Sequence, residues 1–188
     1  MDISRISVGP NPPDEVHAVI EIPAGGAPIK YELDKESGAL FVDRFLHTPM
    51  FYPANYGFIP NTLGDDGDPL DIMVITPFPL VPGCVVTCRA VGVLEMADDK
   101  GLDEKILAVP VDSVYPIYCD VKSHSDLPAL VTEQIEHFFT RYKDLEKNKS
   151  VTVQGWGDAG EAAALIAEGM KAHDDKQKAK KSGAANAA

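Results

Sequence analysis

The densest chemical signal in the chain is the run Asp65-Asp66-Gly67-Asp68-Pro69-Leu70-Asp71. Gly67 and Pro69 favour a tight turn, so the carboxylates of Asp66, Asp68 and Asp71 converge rather than splay apart. Converging carboxylates repel one another strongly unless a cation lies between them. Hard divalent ions take such all-oxygen donor sets. The plain alternative is an acidic surface turn, since Asp and Gly are common turn formers. The third acid, and the apolar run Ile72-Met73-Val74-Ile75 that follows it, weigh against that alternative. A calcium loop of the EF-hand kind fails, because the fifth and sixth positions that need an oxygen ligand and a glycine are Leu70 and Asp71.

A second acidic run, Asp98-Asp99-Lys100-Gly101-Leu102-Asp103, leads into Glu104 and Lys105. Alone it reads as a polar hairpin loop, and it gains meaning only if the fold sets it beside residues 66–71. Cations and phenols complete the kit. Lys30 and Glu32 share a strand face, and Glu21 could share it across a hairpin. Arg44 lies near the end of the next strand. Tyr52 and Tyr56 have the same parity in an extended stretch, and Tyr142 and Lys143 end a helix. Each has a bland reading as surface lysine, core-edge tyrosine or helix-terminal cation. Together, carboxylates that hold Mg²⁺ and Lys, Arg and Tyr that hold phosphate oxygens point to hydrolysis of a small, highly charged phosphate ester or anhydride. Nucleophile chemistry of the serine-hydrolase kind is not indicated, for the five histidines are scattered and no G-x-S-x-G occurs. There is no Walker A motif and no G-x-G-x-x-G, so no ordinary nucleotide cradle.

These side chains must be positioned by short strands. Runs at 16–22, 29–33, 39–45, 55–59, 71–76, 84–95 and 106–109 read as β-strands punctuated by Gly and Pro, a meander that suggests a small barrel or sandwich. Two helices follow. One spans about 126–143, with Asp126 as N-cap and a stripe of Leu127, Leu130, Val131, Ile135, Phe138, Phe139 and Tyr142. The other spans about 158–172 and opens on Asp158 and Glu161 at capping-box spacing. The domain is expected over residues 1–172, with 173–188 a frayed or disordered tail rich in Lys and Ala.

With 188 residues there is room for one domain with a real core. The net charge of -12 repels nucleic-acid phosphates and anionic lipids, so neither nucleic acid nor a membrane is an expected partner. No apolar run approaches the ~20 residues of a membrane span and no leader-like segment is visible. Three cysteines make no disulfide framework, and Cys84 and Cys88 read as buried strand residues, which suits a reducing cytoplasm.

The motifs, taken in order, resemble the soluble (family I) inorganic pyrophosphatases. The match is carried by D-G-D-P-L-D at 66–71, E-I-P at 21–23, I-K-Y-E at 29–32, F-V-D-R-F at 41–45, F-Y-P-A-N-Y-G-F-I-P at 51–60, Asp98 and Asp103 with Lys105, and H-F-F-x-x-Y-K at 137–143. It covers roughly residues 12–157, in family order and spacing. The resemblance implies a mainly β fold with flanking helices (α+β), a distorted five-stranded OB-like β-barrel. It implies hydrolysis of pyrophosphate to two orthophosphates with Mg²⁺ as cofactor, Mn²⁺ being able to substitute. Asp66, Asp71 and Asp103 would be the main metal ligands, Asp98 would join Asp103, and Glu21 and Glu32 would complete the acidic wall, partly through water. Asp68 would be the general base. Lys30, Arg44, Tyr56, Tyr142 and Lys143 would hold the phosphates, with Tyr52 and Lys105 in support. A homohexamer is implied by likeness to bacterial members. The rival readings are another metal-dependent phosphohydrolase, an OB-type single-strand binder and a calcium-binding structural protein. The charge opposes the second, and the third leaves Lys30, Arg44 and Tyr142 without a role.

Overall fold

A computed structural model describes residues 3–99 and 101–185. The strands are β1 (Val16–Ile22), β2 (Ile29–Leu33), β3 (Leu40–Phe45), β4 (Asn55–Phe58), β5 (Asp71–Val74), β6 (Val85–Asp98), β7 (Gly101–Leu102), β8 (Lys105–Pro110) and β9 (Val151–Gly157). The helices are α1 (Ala129–Arg141) and α2 (Ala159–Ala185). β1 pairs β4, β4 pairs β5, β5 pairs β8, β8 pairs β6, and β6 returns to β1. These five strands close a ring, antiparallel throughout except for β5 and β8. The ring is uneven, with register shifts in β1 and β6, and it is the expected distorted OB-like barrel.

Closure explains why the strands read as nearly continuous apolar runs rather than clean alternations. Ile72 and Val74 of β5 enter one buried cluster and Met73 the other. Ile106 and Ala108 of β8 likewise part from Leu107 and Val109. One cluster is covered by α1 through Ile135, Phe138 and Phe139, and the other by α2 through Ile166. With both faces buried, each strand must be apolar on both. β6 does most of the closing. Its first residues pair β1, its middle pairs β8 and its end pairs β9.

The expected meander is corrected at its start. β2 and β3 form a two-stranded hairpin of their own, and β1 pairs no part of it. The turn after β1 is drawn elsewhere. Gly25 N donates to Tyr52 O at 2.8 Å and Ala24 N to the side chain of Asn55 at 3.1 Å. That buried asparagine also accepts from Leu80 N and donates to Val74 O and Thr76 Oγ1, so its whole amide is satisfied. β7 and β9 were not expected. β9 carries Gly155 and Gly157 inside the sequence Val-Thr-Val-Gln-Gly-Trp-Gly, and Gly155 takes φ +141° beside a bulge against β6, which hides the strand pattern.

α1 starts three residues later than expected. Pro128 restricts the residue before it, and Leu127 is extended, so helix begins only beyond it. Asp126 caps a short turn instead, accepting from Lys122 N and Ser123 N at 2.9 Å. Leu130 of the expected stripe is exposed. The reciprocal bonds of Asp158 and Glu161 at the start of α2 are present, at 2.7 and 2.9 Å. α2 continues past residue 172 to Ala185, as its Ala, Lys and Gln content favours; of the expected tail, residues 186–188 lie outside the described residues.

One contact admits no side chain. Gly57 of β4 faces Ile20 of β1, and a Cβ there would lie 1.8 Å from the Val19 carbonyl oxygen. Gly57→Ala should therefore destabilise the chain by about 3 kcal/mol or leave it unfolded. Urea denaturation against the wild-type chain measures this, and an unchanged midpoint would refute the close approach.

Candidate active site

Strand register decides where the acids go. β5 opens on Asp71 and runs parallel to β8, which opens on Lys105, with those two residues in register. The Lys105 ammonium consequently bonds Asp71 Oδ2 at 2.5 Å and also the carboxylate of Asp103, two residues before it. The loop ahead of β5 is tightly wound. Gly64 N donates to Asp68 O at 2.7 Å, Asp68 N donates to the Asp66 carboxylate at 3.0 Å, and Gly67 takes φ +91°. Behind the loop, Leu70 packs on α2 at Gly169, where a Cβ would come 2.7 Å from Leu70 Cδ1. Leu63 N also donates to Gly169 O at 3.0 Å. The absent side chain on the helix lets the acidic loop seat against it.

The second acidic run makes the β6–β7 hairpin, as its composition suggested, and the hairpin does sit beside residues 66–71. Glu21 reaches the same place from β1. Its Oε1 accepts from Leu33 N at 2.8 Å, so it meets β2 although the two strands share no ladder. The β2–β3 hairpin carries Lys30, Glu32 and Arg44, and the turn after α1 carries Tyr142 and Lys143. That turn is pinned to the segment after β3 by Thr48 Oγ1, which donates to Tyr142 O at 3.3 Å.

The result is one cleft of about 290 Å³, and every site residue that the family resemblance implied lines it. Three further charged residues line it too. Asp43 lies within the F-V-D-R-F run, 3.0 Å from Arg44 Nη1 and 3.4 Å from Lys30 Nζ, and its place beside Arg44 was signal enough to find it. Lys35 and Lys149 are turn lysines that no local pattern marks. Lys35 Nζ stands 2.7 Å from Asp68 across the cleft mouth, and Lys149 pairs with Asp99 at 2.9 Å. Lys143 pairs with Asp98 at 3.0 Å.

Aromatic rings form the floor. Tyr52 packs on Tyr56 at 5.1 Å and on Phe138 at 4.7 Å, and Phe138 stacks on Tyr142 at 5.0 Å. This apolar floor desolvates the polar groups above it. Burial, with nearby Asp71, raises the Tyr56 hydroxyl well above the ordinary tyrosine value, and burial does the same for Tyr52 and Tyr142. All three phenols stay protonated at neutral pH, able to donate. Burial also raises Asp103, against the opposing pull of Lys105. Burial alone would lower the Lys105 ammonium, but Asp71 and Asp103 outweigh it and hold the lysine firmly charged. Glu21 is pushed up to about 7 by burial, with Asp71 adding and the Leu33 N–H opposing.

The cleft is thus lined by eight carboxylates against six Lys and Arg side chains. Among the described residues no three acids, histidines or cysteines already stand together as a metal cage; lysine ammonium groups lie between the acids. The acidic donors lining the cleft are all hard carboxylate oxygens, so the residues fit a hard divalent cation.

The family model described as inorganic pyrophosphatase matches residues 18–174. The chain is 61% identical to the inorganic pyrophosphatase of Caulobacter vibrioides over 175 residues, which is 93% of this chain and 99% of that one. The crystal structure of an inorganic phosphatase from Anaplasma phagocytophilum superposes with a TM-score of 0.88 at 50% identity, covering 90% of this chain and 99% of that one. The inorganic pyrophosphatase of Thermus thermophilus gives 0.87 at 41% identity, covering 93% and 99%.

The Glu21 environment has a measurable consequence. Unfolded, Glu21 ionises at 4.5; folded, it ionises at about 7. As pH rises, the unfolded chain loses this proton first, so stability drains away between those values and stays lost above them. Glu21→Gln keeps the acceptor for Leu33 N and removes the titration. In EDTA, the stability of the variant relative to wild type should therefore rise by about 3 kcal/mol from pH 4.5 to 8. Chemical denaturation at a series of pH values reads it, and parallel curves would show that Glu21 ionises normally.

Proposed function

The chain belongs to the family I inorganic pyrophosphatases of bacterial type, enzymes that cleave pyrophosphate into two orthophosphates, and from that premise we propose how this cleft does so. Asp66, Asp71, Asp98 and Asp103 would hold Mg²⁺, with Glu21 and Glu32 completing the acidic wall and Mn²⁺ able to substitute. Bound there, the metal would lower the pKa of a water toward neutrality and offset charge on the phosphate oxygens. Asp68 is the general base, accepting the proton of the water that attacks one phosphorus in line with the bridging oxygen.

The other residues have physical work of their own. Lys30, Arg44 and Lys143 offset charge on the equatorial and leaving oxygens. Tyr56 and Tyr142, kept neutral by burial, donate O–H to phosphate oxygens without adding negative charge. Lys105 pairs with both Asp71 and Asp103 and so offsets their mutual repulsion, and Tyr52 braces the floor through Tyr56 and Phe138. The observation that supports the reading best is the division of the lining. Acids from the Asp66–Asp71 loop and the β6–β7 hairpin face cations from the β2–β3 hairpin and the end of α1 across a single cleft. A highly charged anion escorted by divalent cations suits both sides at once.

The wider reading includes one catalytic domain over residues 1–172 and a homohexamer. β3 exposes Leu40, Phe41, Val42 and Phe45, an apolar strand of the kind that subunits cover. A cytoplasmic location suits three free thiols. No helix among the described residues is long and apolar enough to cross a membrane. The acidic charge weighs against nucleic acid as a partner.

Phosphate release from pyrophosphate tests the reading. Wild-type chain with Mg²⁺ should release two phosphates per substrate, and EDTA should abolish release. Asp68→Asn should keep the fold and most metal binding but lower kcat by about 10²-fold or more. An Asp68→Asn enzyme of normal rate would remove Asp68 from the chemistry. Light scattering on the eluting species checks the hexamer, which Phe41→Lys should disperse if β3 is a subunit contact.

A further inference from the structure

The cations of the β2–β3 hairpin do not stand free. Lys30 and Arg44 face each other in the β2–β3 register, and the Asp43 carboxylate touches both. Asp43 is the chain neighbour of Arg44, so that grip is local. A second grip comes from far away. Glu146 Oε1 lies 3.3 Å from Arg44 Nε, and the Glu146 side chain is only 10% exposed. Both atoms are sealed from solvent and neither makes a hydrogen bond among the described residues, so what joins them is an ion pair. A carboxylate so nearly buried is costly unless a cation answers it, and Arg44 is its cation.

Glu146 stands in the turn after α1, where its N–H donates to Lys143 O at 2.8 Å. The same turn delivers Tyr142 and Lys143 to the cleft. If Glu146 served only to tie this turn to the segment after β3, it would be redundant, because the Thr48–Tyr142 bond and the contact of His47 with Leu145 O at 3.4 Å already do so.

We propose that Glu146 is a positioning residue for Arg44. This rests on the reading of Arg44 as a phosphate-binding group. A guanidinium is planar and carries five N–H donors. Asp43 accepts from Nη1 and the Glu146 carboxylate stands 3.3 Å from Nε as a counter-charge, so two anions on different edges restrain the plane. The remaining donors are then oriented for a phosphate before it arrives, which spares the ordering cost at binding. Because Glu146 shares its turn with Lys143, the cations of the hairpin and of the helix end are held as one unit.

The test uses the full-length enzyme with Mg²⁺ and pyrophosphate. Glu146→Gln keeps the shape and weakens the grip. It should raise KM about tenfold, change kcat by less than about twofold and leave the melting temperature nearly unchanged. Arg44→Lys, which cannot be held in a plane, should raise KM at least as much. The double variant should be no worse than Arg44→Lys alone. Multiplying effects in the double variant, or a lower melting temperature with unchanged KM in Glu146→Gln, would overturn the proposal in favour of a structural tie. An unchanged KM in Arg44→Lys would overturn the phosphate-binding reading itself, and the proposal with it. Should Glu146→Gln fold poorly, Glu146→Asp keeps the charge but withdraws it, and is read in the same way.

Discussion

Crowded negative charge is the constraint on which the rest of this molecule depends. Carboxylates from five separate stretches of chain are brought into one cleft, at a separation where they repel strongly unless cations interleave them. The fold supplies those cations from within. The central case is Lys105, nearly buried between Asp71 and Asp103, and it exists because β5 and β8 are parallel and in register at their first residues. An antiparallel pairing would set acid and lysine at opposite ends of the ladder. The barrel is therefore part of the electrostatics of the site as well as its frame.

The floor of the cleft sharpens those interactions. Rings of Tyr52, Tyr56, Phe138 and Tyr142 keep water from one side, and charges above an apolar floor act on one another through a lower effective dielectric. The same desolvation acts oppositely on different groups. It keeps phenols neutral as donors and, with Asp71 adding to it, drives Glu21 toward protonation. Burial and charge together assign each oxygen its role as donor or acceptor.

Much of this was legible in the sequence, and the rest failed for identifiable reasons. The acidic loop at 66–71 is a local feature, set by Gly67 and Pro69, and so it can be read from neighbouring residues. The ring strands announce themselves by apolar runs. The start of α1 was misplaced because a good capping residue, Asp126, stands ahead of a proline that outranks it. β9 was missed because two glycines interrupt it. The contacts that local patterns could not reveal join distant segments, as Lys35 to Asp68, Lys149 to Asp99 and Glu146 to Arg44 do. A surface lysine or glutamate carries no mark of the partner that the fold will bring to it. The residues expected from the family motifs do meet in one cleft, because such motifs record the outcome of long-range encounters without explaining them.

The five-stranded ring has a temporal side. β1 is made early but finds one of its two ladder partners only in β6, where the Val16 carbonyl meets the Cys88 thiol 72 residues later in the chain. Until β6 emerges, β1 presents an unpaired edge on a strand in which only His17 and Glu21 are not apolar. Such pairings raise the contact order of the fold and slow its closure, since loop entropy must be spent before the ladder returns it. A chain leaving the ribosome therefore spends the interval before β6 emerges in a state open to wrong pairing with other nascent strands. The closed ring that leaves the mature barrel so few edges is, during synthesis, the last thing the chain can have.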